Sequence, residues 1–131
     1  MKTRLAVLVA VLSMGVVAVA QKQESKPSTL KFALVCGGGD CPLLKGAPQT
    51  SGMRGGSVRL APGKSVGWHS TAGSEESLVI LKGTGVVKID GQADTELLER
   101  ELVYIPPQTR HNVTNTGKDT LEYVWVVAPV K

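Results

Sequence analysis

No stretch of this 131-residue chain beyond residue 30 repeats apolar side chains every 3.6 positions, so amphipathic helices are not expected to build its core. Aromatic residues are few, one Phe, two Trp and two Tyr, and they are not interleaved with a basic cluster. That argues against nucleic acid as a partner. An excess of one charge is also missing: without Lys2 and Arg4 of the N-terminal leader, thirteen basic residues face eleven acidic ones. The two cysteines, Cys36 and Cys41, lack the C-x-x-C spacing of a redox pair or a thiolate clip. There is no internal repeat, and the roughly 111 residues after the leader suffice for one core but not two.

The leader itself is distinctive. Lys2 and Arg4 precede an apolar run from Leu5 to Val17, and Ala18-Val19-Ala20 offers a small-x-small cleavage site before Gln21. Residues 1–20 therefore read as a signal peptide. The run is short for a membrane span, so no membrane contact is expected after cleavage, and no cysteine stands at the junction to carry a lipid. The expected location is the periplasm or the outside of the cell. There a Cys36–Cys41 disulfide can persist, closing the flexible Gly37-Gly38-Gly39-Asp40 loop at a gain of about 2 kcal/mol in the loop-entropy account. Residues 21–56 are expected to form a polar leader and a Gly- and Pro-rich covering loop, and residues 57–131 a folded barrel.

Short β-rich runs bounded by Gly, Pro, Asn and Asp recur every eight to twelve residues, the pattern of an all-β sandwich or barrel. The expected strands are Leu30 to Val35, Ser57 to Ala61, Ser77 to Lys82, Gly85 to Ile89, Thr95 to Leu98, Leu102 to Ile105, His111 to Asn115 and Leu121 to Ala128, with a short piece at Ser65 to His69. Pro62-Gly63 suits a type II turn, Gly83-Thr84-Gly85 and Asn115-Thr116-Gly117 suit hairpins, and Asp90-Gly91 suits a primed turn.

The two histidines, His69 and His111, lie 42 positions apart, and Glu75-Glu76 follow the first. Two imidazoles and a carboxylate are a minimal set for a divalent transition metal with open coordination positions. Period-two alternation puts Glu76 with Leu78 and Ile80, and Glu75 with Ser77 and Val79. If the Leu78 side is the interior, Glu76 is a buried carboxylate in need of a cation, and Glu75 is a solvated surface residue. Hydrogen-bonded histidines at a barrel mouth are the structural alternative to a metal. Trp68, Tyr123 and Trp125 read as packing residues. Arg110 is either a rim residue or a contact for an anion, and Tyr104 either a surface phenol or a donor near the site. Asn112-Val113-Thr114 matches a glycosylation acceptor but falls inside a strand.

Taken together, the two histidine-bearing phrases resemble the paired motifs of the cupin superfamily. Gly63, His69, Glu76 and Gly83 fall in register with its first motif, and Pro106, His111 and Asn115 with its second. Thr71 stands where the second histidine of the first motif is usual, and Arg100 and Gln108 replace two glycines of the second. The resemblance implies an all-β, cupin-like jelly-roll β-barrel in a single domain. It also implies a divalent transition metal, Fe, Mn, Ni, Zn or Cu, on His69, Glu76 and His111. The expected partner is a small molecule, acted on by oxidoreductase or isomerase chemistry or merely bound, with Val87, Val113 and Val126 as apolar lining. Barrels of this kind also pair through their sheets, which would make a homodimer.

Overall fold

The structure, a computed structural model, describes residues 28–130. The expected signal peptide lies outside them. All regular structure among the described residues is strand: β1 (Gly39–Lys45), β2 (Arg54–Leu60), β3 (Ser74–Lys82), β4 (Gly85–Ile89), β5 (Thr95–Leu97), β6 (Leu102–Ile105), β7 (His111–Thr114) and β8 (Leu121–Pro129). A five-stranded sheet, ordered β1-β2-β8-β3-β6, faces a three-stranded sheet, ordered β5-β4-β7, and every pairing is antiparallel. The result is the all-β jelly-roll expected, in a single domain.

Alternation decides what the sheets bury. In β3, Glu76, Leu78 and Ile80 point inward while Ser77, Val79 and Leu81 do not; in β8, Leu121, Tyr123 and Val127 do the same. Val58, Leu60, Leu97, Ile105 and Val113 complete the core between the sheets. At about 25 cal/mol per Å², each such aliphatic side chain contributes about 1.5–3 kcal/mol relative to exposure. The expected short piece at Ser65 to His69 is present as two isolated bridges, Ser65 to Thr114 and His69 to His111, which lay it alongside β7.

Several local expectations are corrected. Leu30 to Val35 forms no strand, and Leu30, Phe32, Leu34 and Val35 are exposed. Alternating apolar residues make a strand only where a neighbour offers hydrogen bonds, and the place beside β2 is taken by β1. β1 itself lies inside the supposed covering loop. It is an edge strand with a bulge between Pro42 and Leu44, the setting in which a proline without an N–H is tolerated. Cys36 and Cys41 are disulfide-bonded, with Cα atoms 5.8 Å apart, which ties the preceding chain to β1.

Gly83-Thr84 and Asn115-Thr116-Gly117 do not close hairpins, because β3 and β8 lie in one sheet and β4 and β7 in the other. They carry the chain between sheets. The Asp90-Gly91 turn has a Gln92 N–H to Ile89 carbonyl bond of 3.1 Å, with positive φ at Gly91 but not at Asp90, so it is not the primed turn expected. Pro62-Gly63 does make the type II turn, closed by Lys64 N–H to the Ala61 carbonyl at 3.0 Å with φ of 76° at Gly63.

Candidate metal centre

The site is built on one backbone contact. His69 and His111 exchange both N–H to carbonyl hydrogen bonds, at 3.0 and 2.9 Å, so the two residues are direct antiparallel partners. Directly opposed residues project to the same face, and the imidazole centroids lie 4.3 Å apart in an edge-on arrangement. Asn112 fastens this contact from the side: its Oδ1 accepts the Gly67 N–H at 3.0 Å. Asn112 is buried, so the glycosylation match has no accessible side chain.

Each imidazole is oriented by a carbonyl. His111 Nδ1 lies 3.0 Å from the Thr109 oxygen and His69 Nδ1 2.9 Å from the Gly67 oxygen. A carbonyl can only accept, so Nδ1 carries the hydrogen in both rings and, in the neutral form, Nε2 is left with a free lone pair, which in His111 faces Glu76. Metal-binding histidines are commonly held in orientation by such a bond from the ring nitrogen that does not face the ion.

Glu76 arrives from the facing sheet, inward by the alternation of β3. Its Oε2 stands 3.3 Å from His111 Nε2, and His69, Glu76 and His111 each offer a ligand atom within 4.8 Å of the others. Glu76 and His111 are 5% and 0% exposed. Neither Glu76 Oε2 nor His111 Nε2 has a hydrogen-bond partner among the described residues, although they are close. When His111 is neutral, two acceptors face one another in a buried place, and what relieves them is a cation, either a proton or a metal ion. The proton effect is visible in the His111 pKa. Burial alone lowers it, but the Glu76 carboxylate and the Thr109 carbonyl outweigh burial and raise it above 6.5.

Other sequence-predicted residues fall into place around this triad. Thr71 lines the cavity, but its hydroxyl donates to the Ser74 carbonyl at 2.8 Å, which commits its hydrogen to the loop. Arg110 sits on the rim, stacked over Trp68 at 5.1 Å and 3.8 Å from Asp90, and does not line the cavity. Trp68 is thus exposed and stacked on a cation, where packing had been expected. Tyr104 is a surface phenol that donates to the equally peripheral Glu75 at 3.2 Å. Of the three valines expected as lining, Val113 is at the cavity, whereas Val87 is sealed in the core and Val126 faces out, with Val127 in its stead.

Sequence reasoning missed four charged or aromatic contributors to the cavity, along with Val58, Val66 and Ser70. Tyr123 and Trp125 had been read as packing only, and Asp40 and Arg54 had been placed in a loop. Burial beside the Glu76 and Asp40 carboxylates drives the Tyr123 phenol far above its ordinary pKa of 10, so it remains a neutral donor. The only available signal for Asp40 and Arg54 was strand pairing over residues 39–45, which no local pattern announces.

The motif positions without chemistry are also explained. Asn115 is fully buried, and its amide donates to the Leu60 and Asp119 carbonyls at 2.8 Å each while accepting the Gly117 N–H at 2.9 Å. It pins the crossover between sheets. Arg100 and Gln108, which replace family glycines, nonetheless adopt φ of 69° and 60°, so the left-handed backbone is kept without the residue that adopts it most easily.

Comparison with known proteins agrees with this fold. The family model described as "Cupin domain" matches residues 56–127, more than half of the chain. The tetracenomycin polyketide synthase protein TcmJ of Streptomyces glaucescens is 31% identical over 81 residues, 62% of this chain and 53% of its own length. An oxalate-binding protein of Thermotoga maritima is 33% identical over 70 residues, 53% of this chain and 57% of its own. The chain thus spans about half the length of these curated relatives. A cupin protein from Bacteroides fragilis superposes with a TM-score of 0.62 over 77% of this chain and 84% of that one, at 21% identity, a likeness of fold.

Proposed function

The chain belongs to the cupin family, and on that premise we propose that it holds a divalent transition metal on His69, Glu76 and His111 and binds a small molecule at that ion. One observation carries the reading: Glu76 Oε2 and His111 Nε2 are buried, 3.3 Å apart and without hydrogen-bond partners. A structural pair of histidines would close its own hydrogen bonds. This one leaves three ligand atoms within 4.8 Å of one another beside a cavity that His69 and Glu76 line, with tautomers suited to coordination.

When bound, such an ion supplies a Lewis acid that polarises an oxygen ligand or a redox centre, which suits oxidoreductase or isomerase chemistry. The protein's own residues do the rest. The neutral Tyr123 phenol can donate a hydrogen bond into the cavity, and Val66, Val113 and Val127 exclude water from one side. A binding role without turnover is the second reading, favoured by the commitment of Thr71 to Ser74, which leaves three protein ligands where the family motif has four. The Cys36–Cys41 disulfide accords with export to an oxidising compartment.

The test is metal content of protein isolated without chelator, in wild type and in His69→Ala, Glu76→Ala and His111→Ala. About one ion per chain in wild type and loss in all three variants is expected. A stable wild type that takes up no added Mn(II), Fe(II), Ni(II), Zn(II) or Cu(II) refutes the proposal.

A further inference from the structure

The cavity beside the triad contains one arginine, Arg54, and the register of the large sheet fixes where it stands. Arg54 pairs with Val127 on β8, and Val127 pairs with Glu76 on β3. The three residues therefore form one row across adjacent strands on one face, with Glu76 and Val127 buried, Arg54 exposed at the cavity's edge, and Arg54 and Glu76 about 10 Å apart at the backbone. The stem of Arg54 passes Gly46 at the end of β1, where an added Cβ would stand 3.4 Å from Arg54 Cγ. Among the described residues no carboxylate forms an ion pair with Arg54.

The next row holds Gly56, Trp125 and Leu78. A Cβ on Gly56 would come within 2.9 Å of the Trp125 indole, so the ring lies over the space that glycine leaves. Its Nε1 donates to Asp40 Oδ1 at 2.7 Å, which holds the ring down. The indole is thus a fixed apolar floor beside the Arg54 row. Asp40 is held there by the indole, opposite Val58 and four residues along β2 from Arg54, about 13 Å at the backbone.

We infer that Arg54 anchors the second anionic group of a small dianionic ligand whose first group faces the triad, so that the ligand class is short dicarboxylates and their hydroxy or keto derivatives. This rests on the proposed metal at the triad. A divalent ion there is offset by Glu76 and Asp40 alone, and Arg54 then tips the cavity positive, which selects anions. Two cationic points on one row select two anionic groups, and the guanidinium is suited to grip a carboxylate with paired N–H donors. The cavity measures about 210 Å³, below the range of about 300–1,000 Å³ usual for drug-sized ligands, and suits a small ligand.

Malonate and acetate are the probes, titrated calorimetrically into the Mn(II)-loaded protein, with Mn(II) content measured first on the same samples. Malonate should bind wild type roughly tenfold or more tightly than Arg54→Gln, with Arg54→Lys between them, while acetate binds wild type and Arg54→Gln alike. Unchanged thermal unfolding of Arg54→Gln shows that the variant is folded. Equal malonate affinity in wild type and Arg54→Gln, or no malonate binding with Mn(II) in place, overturns the anchor and leaves the triad standing. Failure of wild type to take up Mn(II) or any of Fe(II), Ni(II), Zn(II) and Cu(II) overturns the triad reading and the two-point ligand with it.

Discussion

Replacing Glu76 by Gln in the metal-free protein should change the sign of its effect on stability with pH. Glu76 Oε2 and His111 Nε2 are buried 3.3 Å apart, and the folded protein raises the His111 pKa above 6.5. The stability contributed by that proton is fully present below 6.5 and is lost as pH rises through the folded value. At pH 5 His111 is protonated and Glu76 is its counter-charge. Glu76→Gln removes that charge but keeps an acceptor, a loss of about 1–3 kcal/mol, at the low end for a broken buried pair because the hydrogen bond survives. Above the raised His111 pKa the imidazole is neutral and two acceptors oppose each other. The Gln amide can then donate to Nε2, a gain of about 1–2 kcal/mol from relieving an unsatisfied buried acceptor. A change of 1 kcal/mol moves the melting temperature of a domain this size by about 4–8 °C, so both signs are measurable. The assay is thermal unfolding in chelator across pH 5 to 9, repeated with Mn(II). Mn(II) should raise the wild-type melting temperature, more so as pH rises because the ion displaces the His111 proton, and should do little for the variant. Destabilisation of equal size from pH 5 to pH 9 would refute the facing-acceptor argument.

Gln108→Gly should raise stability by about 0.5–1 kcal/mol, read by denaturant unfolding, because φ of 60° costs a side chain more than glycine's extra chain entropy; a loss would show that the Gln108 side chain contributes more than its backbone strain removes. Asn115→Ala should cost about 2–4 kcal/mol, since it orphans the buried Leu60 carbonyl along with the Asp119 carbonyl and Gly117 N–H; a cost under 1 kcal/mol would mean water replaces the amide. Thr71→His should tighten Mn(II) binding in an equilibrium titration at the cost of its hydrogen bond to Ser74, and unchanged affinity would place residue 71 outside ligand reach.

Much of the site was legible because it depends on short-range parity. Glu76 shares a face with Leu78 and Ile80 by alternation alone, and the spacing of His69 and His111 within their phrases matched two motifs of known geometry. What the chain did not show is what depends on pairing between distant strands. β1 hides behind Pro42 and three glycines, which read as loop because an edge strand can dispense with an N–H that a central strand needs. Its absence from the reading removed Asp40 from the cavity. Arg54 likewise reads as a loop cation, because its partner Val127 and, one strand beyond, Glu76 lie 73 and 22 positions further along the chain. Leu30 to Val35 is the converse case, a strand pattern without a neighbour.

The mutual hydrogen bonds of His69 and His111 make the two imidazoles mechanically dependent on one another. An ion gripping both rings would strengthen the backbone contact beneath them, and by reciprocity whatever loosens that contact weakens the grip on the ion. The amide protons of residues 69 and 111 therefore form a built-in gauge: their exchange with solvent should slow in step with occupancy of the triad.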